Sequence, residues 1–243
     1  MFEDTLVEDD INPCYRSAAL TDIGRVRPSN QDSYLERVDL GLWAVADGMG
    51  GYQDGDVASR MVCEALARLD GQSGLEDAID AVRQLMSEVN GRLHRAASRR
   101  INPVVSGSTV AMLLARRTSC AVIWAGDSRV YRLRHGRLSR LTTDHTWASE
   151  LNLEDPCEEA EHAITRAVGG EGVLLLDVRR DQVRLGDRYL VCSDGLTHEL
   201  DDARIAEMLM RGRDVAECAR ALVDATLQVG ARDNVTVVVV EAT

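Results

Sequence analysis

The chain has 243 residues, 45% of them hydrophobic, and a formal net charge of −12 at pH 7. That length admits one large domain or two small ones with a sizeable core, and the acidic balance argues against a broad basic surface for nucleic acid. With a single Phe, the core must be built from Leu, Val, Ile and Ala.

In chain order, residues 1–13 read as a polar, acidic arm. They carry no basic segment followed by an apolar one, so no signal peptide is read there. Tyr15–Thr21, Ser33–Val38 and Leu42–Ala46 predict strands separated by turn chemistry. Residues 55–69 predict a helix, and 75–97 a second. In the latter, Leu75, Ala78, Ile79, Val82, Leu85, Met86, Val89, Leu93 and Ala96 share one face. Ser106–Ala115, Ser119–Trp124 and Arg129–Arg134 predict consecutive strands. Residues 145–163 are polar, contain Pro156 and lack a period, as expected of an exposed, partly helical insert. Val173–Val183 and Arg188–Cys192 predict strands, Asp201–Arg211 and Val215–Leu227 helices, and the β-branched run Val235–Val240 a final strand. Runs of strands with helix pairs between them, without strict alternation, predict an α+β domain over residues 14–243. No stretch approaches the ~18 apolar residues of a membrane span. The six cysteines form no C-x-x-C pair, and Cys120 and Cys192 lie in apolar runs. They predict buried, reduced thiols and a cytoplasmic protein.

The chemistry concentrates in aspartates at the ends of apolar strands. Asp47 closes Leu42-Trp43-Ala44-Val45-Ala46 and precedes Gly48-Met49-Gly50-Gly51. Asp194 closes Tyr189-Leu190-Val191-Cys192-Ser193 and precedes Gly195. Asp32 follows Asn30-Gln31, and Asp233 precedes Asn234 and the last strand. A carboxylate at the edge of a core must be paired or must bind a cation. Glycines beside it free the backbone carbonyls for the same purpose. No histidine cluster accompanies these acids, so oxygen ligation favours Mg²⁺ or Mn²⁺ over zinc. The Asp47 segment fails the patterns of an EF-hand, a dinucleotide fingerprint and a phosphate loop. There is no G-x-S-x-G nucleophile elbow. A cysteine phosphatase needs an arginine after five intervening residues, and from Cys192 that position holds His198. Asp127, in Gly126-Asp127-Ser128-Arg129, reads by itself as a hairpin-turn residue bonded to the backbone. His145 reads as structural. Of the arginines before Asp32, Arg25 reads as a solvated surface residue.

Taken in order, these segments resemble the metal-dependent serine/threonine protein phosphatases (PPM, type 2C), in a short bacterial stand-alone form. The resemblance runs through Thr21-Asp22-Ile23-Gly24, Asn30-Gln31-Asp32, Ala46-Asp47-Gly48-Met49-Gly50-Gly51 and Ala58-Ser59. It continues through Gly107-Ser108-Thr109, Ala125-Gly126-Asp127-Ser128-Arg129 and Leu141-Thr142-Thr143-Asp144-His145. It ends with Ile164-Thr165-Arg166-Ala167-Val168-Gly169, Cys192-Ser193-Asp194-Gly195-Leu196 and Asp233-Asn234-Val235-Thr236.

The resemblance implies an αββα sandwich of two mainly antiparallel sheets packed face to face, with helix pairs outside. It implies two core Mn²⁺ or Mg²⁺ ions on Asp47, the Gly48 carbonyl, Asp194 and Asp233, with Asp32 acting through water. It further implies a third ion at Asp127 and Asp194, and Arg27 as the arginine that contacts phosphate. The implied reaction is hydrolysis of phosphoserine and phosphothreonine in proteins by a metal-bridged water. The implied partners are phosphoprotein substrates and an opposing bacterial Ser/Thr kinase, type VI secretion control being one setting; a monomer is expected. The alternative reading is a catalytically weak relative that binds phosphoproteins or cations. Two departures stand out: Met49 occupies the place of a histidine found in many eukaryotic relatives, and the flap-like insert at 145–163 is short.

Overall fold

The computed structural model describes residues 13–50, 54–71, 74–98, 106–153, 157, 160 and 163–243. Residues 1–12 of the predicted arm at 1–13, Gly51 and parts of the insert, including Pro156, lie outside the described residues.

The strands are β1 (Tyr15–Asp22), β2 (Asp32–Arg37), β3 (Leu42–Met49), β4 (Gly107–Ser108), β5 (Val110–Arg116) and β6 (Ser119–Ala125). They continue as β7 (Arg129–Arg134), β8 (Arg137–Arg140), β9 (Asp177–Gln182), β10 (Arg188–Cys192) and β11 (Val235–Ala242). Between them run helices α1 (Gly55–Leu66), α2 (Leu75–Ser98), α3 (Trp147–Glu150), α4 (Asp194–Thr197), α5 (Asp202–Arg211) and α6 (Val215–Val229). One sheet has the order β1-β11-β10-β7-β8 and the other β2-β3-β5-β6-β9, with β4 pairing β3. Every pairing between these strands is antiparallel.

The central strands read as continuous apolar runs because both of their faces are buried. Along β3, Leu42, Ala44 and Ala46 turn outward under α1 and α2, where they meet Val62, Leu66, Ile79 and Met86. Trp43 and Val45 turn inward and join Leu113, Val122, Tyr189, Val191, Val238 and Val240 between the sheets. On β11 the alternation repeats: Val235, Val237 and Val239 lie beneath α5 and α6 with Leu209, Leu222 and Val223. Three apolar layers, one between the sheets and one beneath each helix pair, make the αββα sandwich. The buried side chains are large enough that truncating one such as Leu113 removes about 2–5 kcal/mol.

The structure departs from the sequence reading in four places. The run at 106–115 is interrupted at Thr109, whose hydroxyl turns aside to Asp47 and Ser128. The strand expected over Val173–Val183 begins only at Asp177. Its neighbour β6 ends at Ala125, so residues 173–176 meet no strand edge, and Val173 is 73% exposed. The short edge strand β8 was not anticipated. A two-residue turn, His135 and Gly136 with φ of 51° and 73°, folds it back on β7, and its arginines suit a sheet edge. The short helix α4, directly after Ser193, was also not anticipated.

All six cysteines are free, and Cys63, Cys120, Cys192 and Cys218 are buried. Among the described residues no helix is long and apolar enough to cross a membrane.

Candidate metal centre

The β-sandwich gathers its aspartates through strand pairing. Asp32, the first residue of β2, stands opposite Asp47 in β3. Asp194 opens α4 at the end of β10, Asp127 fills the β6–β7 turn, and Asp233 sits in the loop entering β11. Asp127, Asp194 and Asp233 line one groove of about 1050 Å³, together with Arg27, Arg129, His198 and Arg232.

Side chains around the acids hold them in place. Asp32 Oδ2 accepts hydrogen bonds from Ser193 Oγ at 2.8 Å and Thr236 Oγ1 at 2.7 Å. Thr236 is linked in turn to Thr21 at 2.7 Å, and Thr21 accepts from Asn30 Nδ2 at 2.9 Å. The Asp47 amide donates to Thr109 Oγ1 at 3.0 Å, and Thr109 N donates back to the Asp47 carbonyl at 2.8 Å. Asn234 splints three segments: its Oδ1 accepts from Gln31 N, while its Nδ2 donates to the carbonyls of Ile23 and Ser29. In the sequence these polar residues stand only as members of the segments that carry the resemblance; their roles needed coordinates.

Two glycines permit this closeness. A Cβ on Gly48 would lie 2.0 Å from the Gly55 carbonyl oxygen, and one on Gly195 would lie 1.9 Å from that of Asn234. Only residues without a side chain let these backbones meet.

The electrostatics are unfavourable for bare carboxylates. Burial, opposed by the bonds from Thr236 and Ser193 and reinforced by the charges of Asp194 and Asp233, pushes Asp32 up to about 7. Burial, then the charges of Asp32, Asp194 and Asp127, hold Asp47 well above the ordinary carboxylate range. Burial, then Asp194 and Asp144, do the same to Asp127. Buried oxygens Asp32 Oδ1, Asp127 Oδ1 and Asp194 Oδ1 have no hydrogen-bond partner. Such a cluster of like charges with unsatisfied oxygens fits hard divalent cations. Among the described residues no three His, Cys, Asp or Glu side chains form a ready-made metal cage.

Arg27 clasps Asp233, Nε to Oδ1 at 2.8 Å and Nη2 to Oδ2 at 2.5 Å, with 55% of its side chain exposed. Arg25 is exposed, as expected. His145 is structural: buried, it accepts the Gly126 amide on Nδ1 and stacks on Trp124, and burial lowers its pKa. Not foreseen was Arg129, which grips Asp144 and leads through Tyr131 to Asp202. His198 stands 3.5 Å from Asp194 at the groove rim.

The model of the family Protein phosphatase 2C matches residues 25–230. The chain belongs to that family. It is 39% identical over 236 residues to serine/threonine protein phosphatase PstP of Mycobacterium tuberculosis, matching 93% of this chain and 45% of that protein. The chain thus spans about 45% of the length of the first curated relatives it matches. Among solved structures it is similar to "PppA, a key regulatory component of T6SS in Pseudomonas aeruginosa", at 39% identity and a TM-score of 0.91, over 96% of this chain and 99% of that one. It is also similar to the catalytic domain of PstP in complex with two manganese ions, at 35% identity and a TM-score of 0.85, over 94% and 98% of the two chains. The chain therefore shares fold and family with bacterial serine/threonine phosphatases.

Proposed function

We propose that this protein is a metal-dependent phosphatase that hydrolyses phosphoserine and phosphothreonine in proteins. The observation that carries this is the convergence of Asp32, Asp47, Asp127, Asp194 and Asp233 beside Arg27, with buried carboxylate oxygens left unpartnered.

Asp47, the Gly48 carbonyl, Asp194 and Asp233 would hold two Mn²⁺ or Mg²⁺ ions, with Asp32 acting through water and Asp127 with Asp194 at a third position. When bound, the ions supply an activated water nucleophile and neutralise phosphoryl charge. The protein's own part is positioning. Ser193 and Thr236 hold one Asp32 oxygen, which leaves Oδ1 buried and without a hydrogen-bond partner. Thr109 anchors the backbone of Asp47 at the floor. Arg27 offers a bidentate fork that matches phosphate as well as carboxylate, so it orients the phosphoryl group at the rim. Phosphoryl transfer asks little covalent chemistry of a protein beyond such positioning and charge. Met49 cannot donate a proton, which leaves leaving-group protonation to water held near Asp127. Asp127→Ala therefore impairs turnover of a phosphopeptide; unchanged turnover refutes that role.

The likeness to PppA, a regulatory component of type VI secretion, supports that system as the setting; a place opposite a Ser/Thr kinase in a bacterial cytoplasm, as a monomer, is part of the same proposal. The intact set of acids weighs against a catalytically inert binding module. The deciding assay measures phosphate release from an aryl phosphate and a phosphopeptide with Mn²⁺, then with chelator. Release that needs the metal is expected; no release from either substrate overturns the reading.

A further inference from the structure

One wall of the groove holds a guanidinium that the reaction does not use. Arg232 is 71% exposed and lines the groove one residue before Asp233, near Arg27. Its presentation is built in. Ala231, fully buried, adopts a left-handed φ of 44°, unfavourable for a residue with a side chain. The Arg25 amide donates to its carbonyl at 2.8 Å, holding that turn against the loop that carries Arg27. Glu199 completes the mount. Its side chain is 8% exposed, and Oε1 accepts both Arg232 N at 3.1 Å and Nε at 3.0 Å. A strained backbone and a buried carboxylate thus fix the Nε edge of Arg232 while the guanidinium faces the groove. An ordinary surface arginine has no such support. Ion pairing alone would account for Glu199, but not for strain held at a buried alanine.

We propose that Arg232, oriented by Glu199, is a specificity-determining residue that binds an anionic group flanking the phosphorylated residue of the substrate. The inference rests on the phosphatase reading above. The shared chemistry is a carboxylate or a second phosphoryl group on the peptide, matched to a planar fork. Arg27 takes the scissile phosphoryl group; Arg232 selects what stands next to it.

The test uses four phosphoserine peptides of one scaffold, flanked by Glu, by a second phosphoserine, by Gln or by Lys. kcat and KM are measured with Mn²⁺ at low salt for the parent, Arg232→Glu, Arg232→Gln and Glu199→Gln. For the parent, kcat/KM for the Glu or phosphoserine flank exceeds that for the Lys flank by about fivefold, the scale of one exposed charge pair. A gain with both anionic flanks marks any acidic neighbour as the ligand; a gain with phosphoserine alone marks a doubly phosphorylated one. Arg232→Glu inverts the ratio, Arg232→Gln brings it close to unity, and Glu199→Gln erodes it mainly through KM. Arg232→Gln keeps the side-chain bulk, so the comparison stands if the charge reversal fails to fold. Hydrolysis with the same flank ratio in parent and Arg232→Gln overturns the proposal alone. Failure to hydrolyse any peptide overturns the phosphatase reading, and this inference with it.

Discussion

Asp32→Asn should stabilise the metal-free protein while removing a group the reaction needs. The substitution keeps the shape: the amide oxygen can accept from Ser193 and Thr236 as Oδ2 does now. It removes a charge that burial and the neighbouring carboxylates oppose. Asp32 titrates near 3.8 when unperturbed and is pushed up to about 7 in the fold. At ~1.36 kcal/mol per pH unit of displacement, ionising it in the folded protein costs about 4 kcal/mol at pH 8. The sign follows from proton binding. Between about pH 4 and 7 the folded state holds a proton that the unfolded state has lost, so parental stability falls as pH rises through this window. Below it both states are protonated and the penalty vanishes. The variant lacks this slope. In chelator at pH 8 it should melt roughly 8–16 °C higher at most, given about 2–4 °C per kcal/mol for a chain of this size. The gap should narrow steadily toward pH 4. Excess Mn²⁺ should stabilise the parent more than the variant, because only binding to the folded state adds stability. Equal melting of parent and variant at pH 8 in chelator, or a gap that does not close on acidification, refutes the reasoning.

Other outcomes follow from the same geometry. Asp194→Asn should abolish metal-dependent phosphate release while circular dichroism stays native, since it removes charge without volume at a buried oxygen that has no hydrogen-bond partner. Arg27→Lys should lower kcat/KM on phosphopeptides by about tenfold, because an ammonium cannot reproduce the bidentate fork. Its thermal melting should move by less than ~1 kcal/mol, the exposed Asp233 pair being worth little. Gly195→Ala should destabilise by more than ~3 kcal/mol in urea unfolding, because its Cβ would lie 1.9 Å from the Asn234 carbonyl oxygen and backbone must move; a near-parental midpoint would falsify the close approach.

The sequence by itself determined the class of chemistry. Aspartates that end apolar strands beside glycine, without histidine ligands, already pointed to oxygen-ligated cations, and helix periodicity over 75–97 closely matches α2. Such signals are local: each rests on alternation, turn chemistry or a face repeating every few residues. Only the tertiary structure decided how those acids meet. Asp32 is held by Ser193 and Thr236, 161 and 204 residues away, and these bonds exist only because β2, β10 and β11 converge at one end of the sandwich. Asp127 was ambiguous as a turn residue until the fold buried it against Asp194 and Asp144. Residues 173–176 looked like strand and are not, since β6 had already ended and no edge remained to pair with. Arg232 carried no local signal at all. Its orientation depends on a buried glutamate 33 residues earlier in the chain and on a strained turn held by a hydrogen bond from the Arg25 amide.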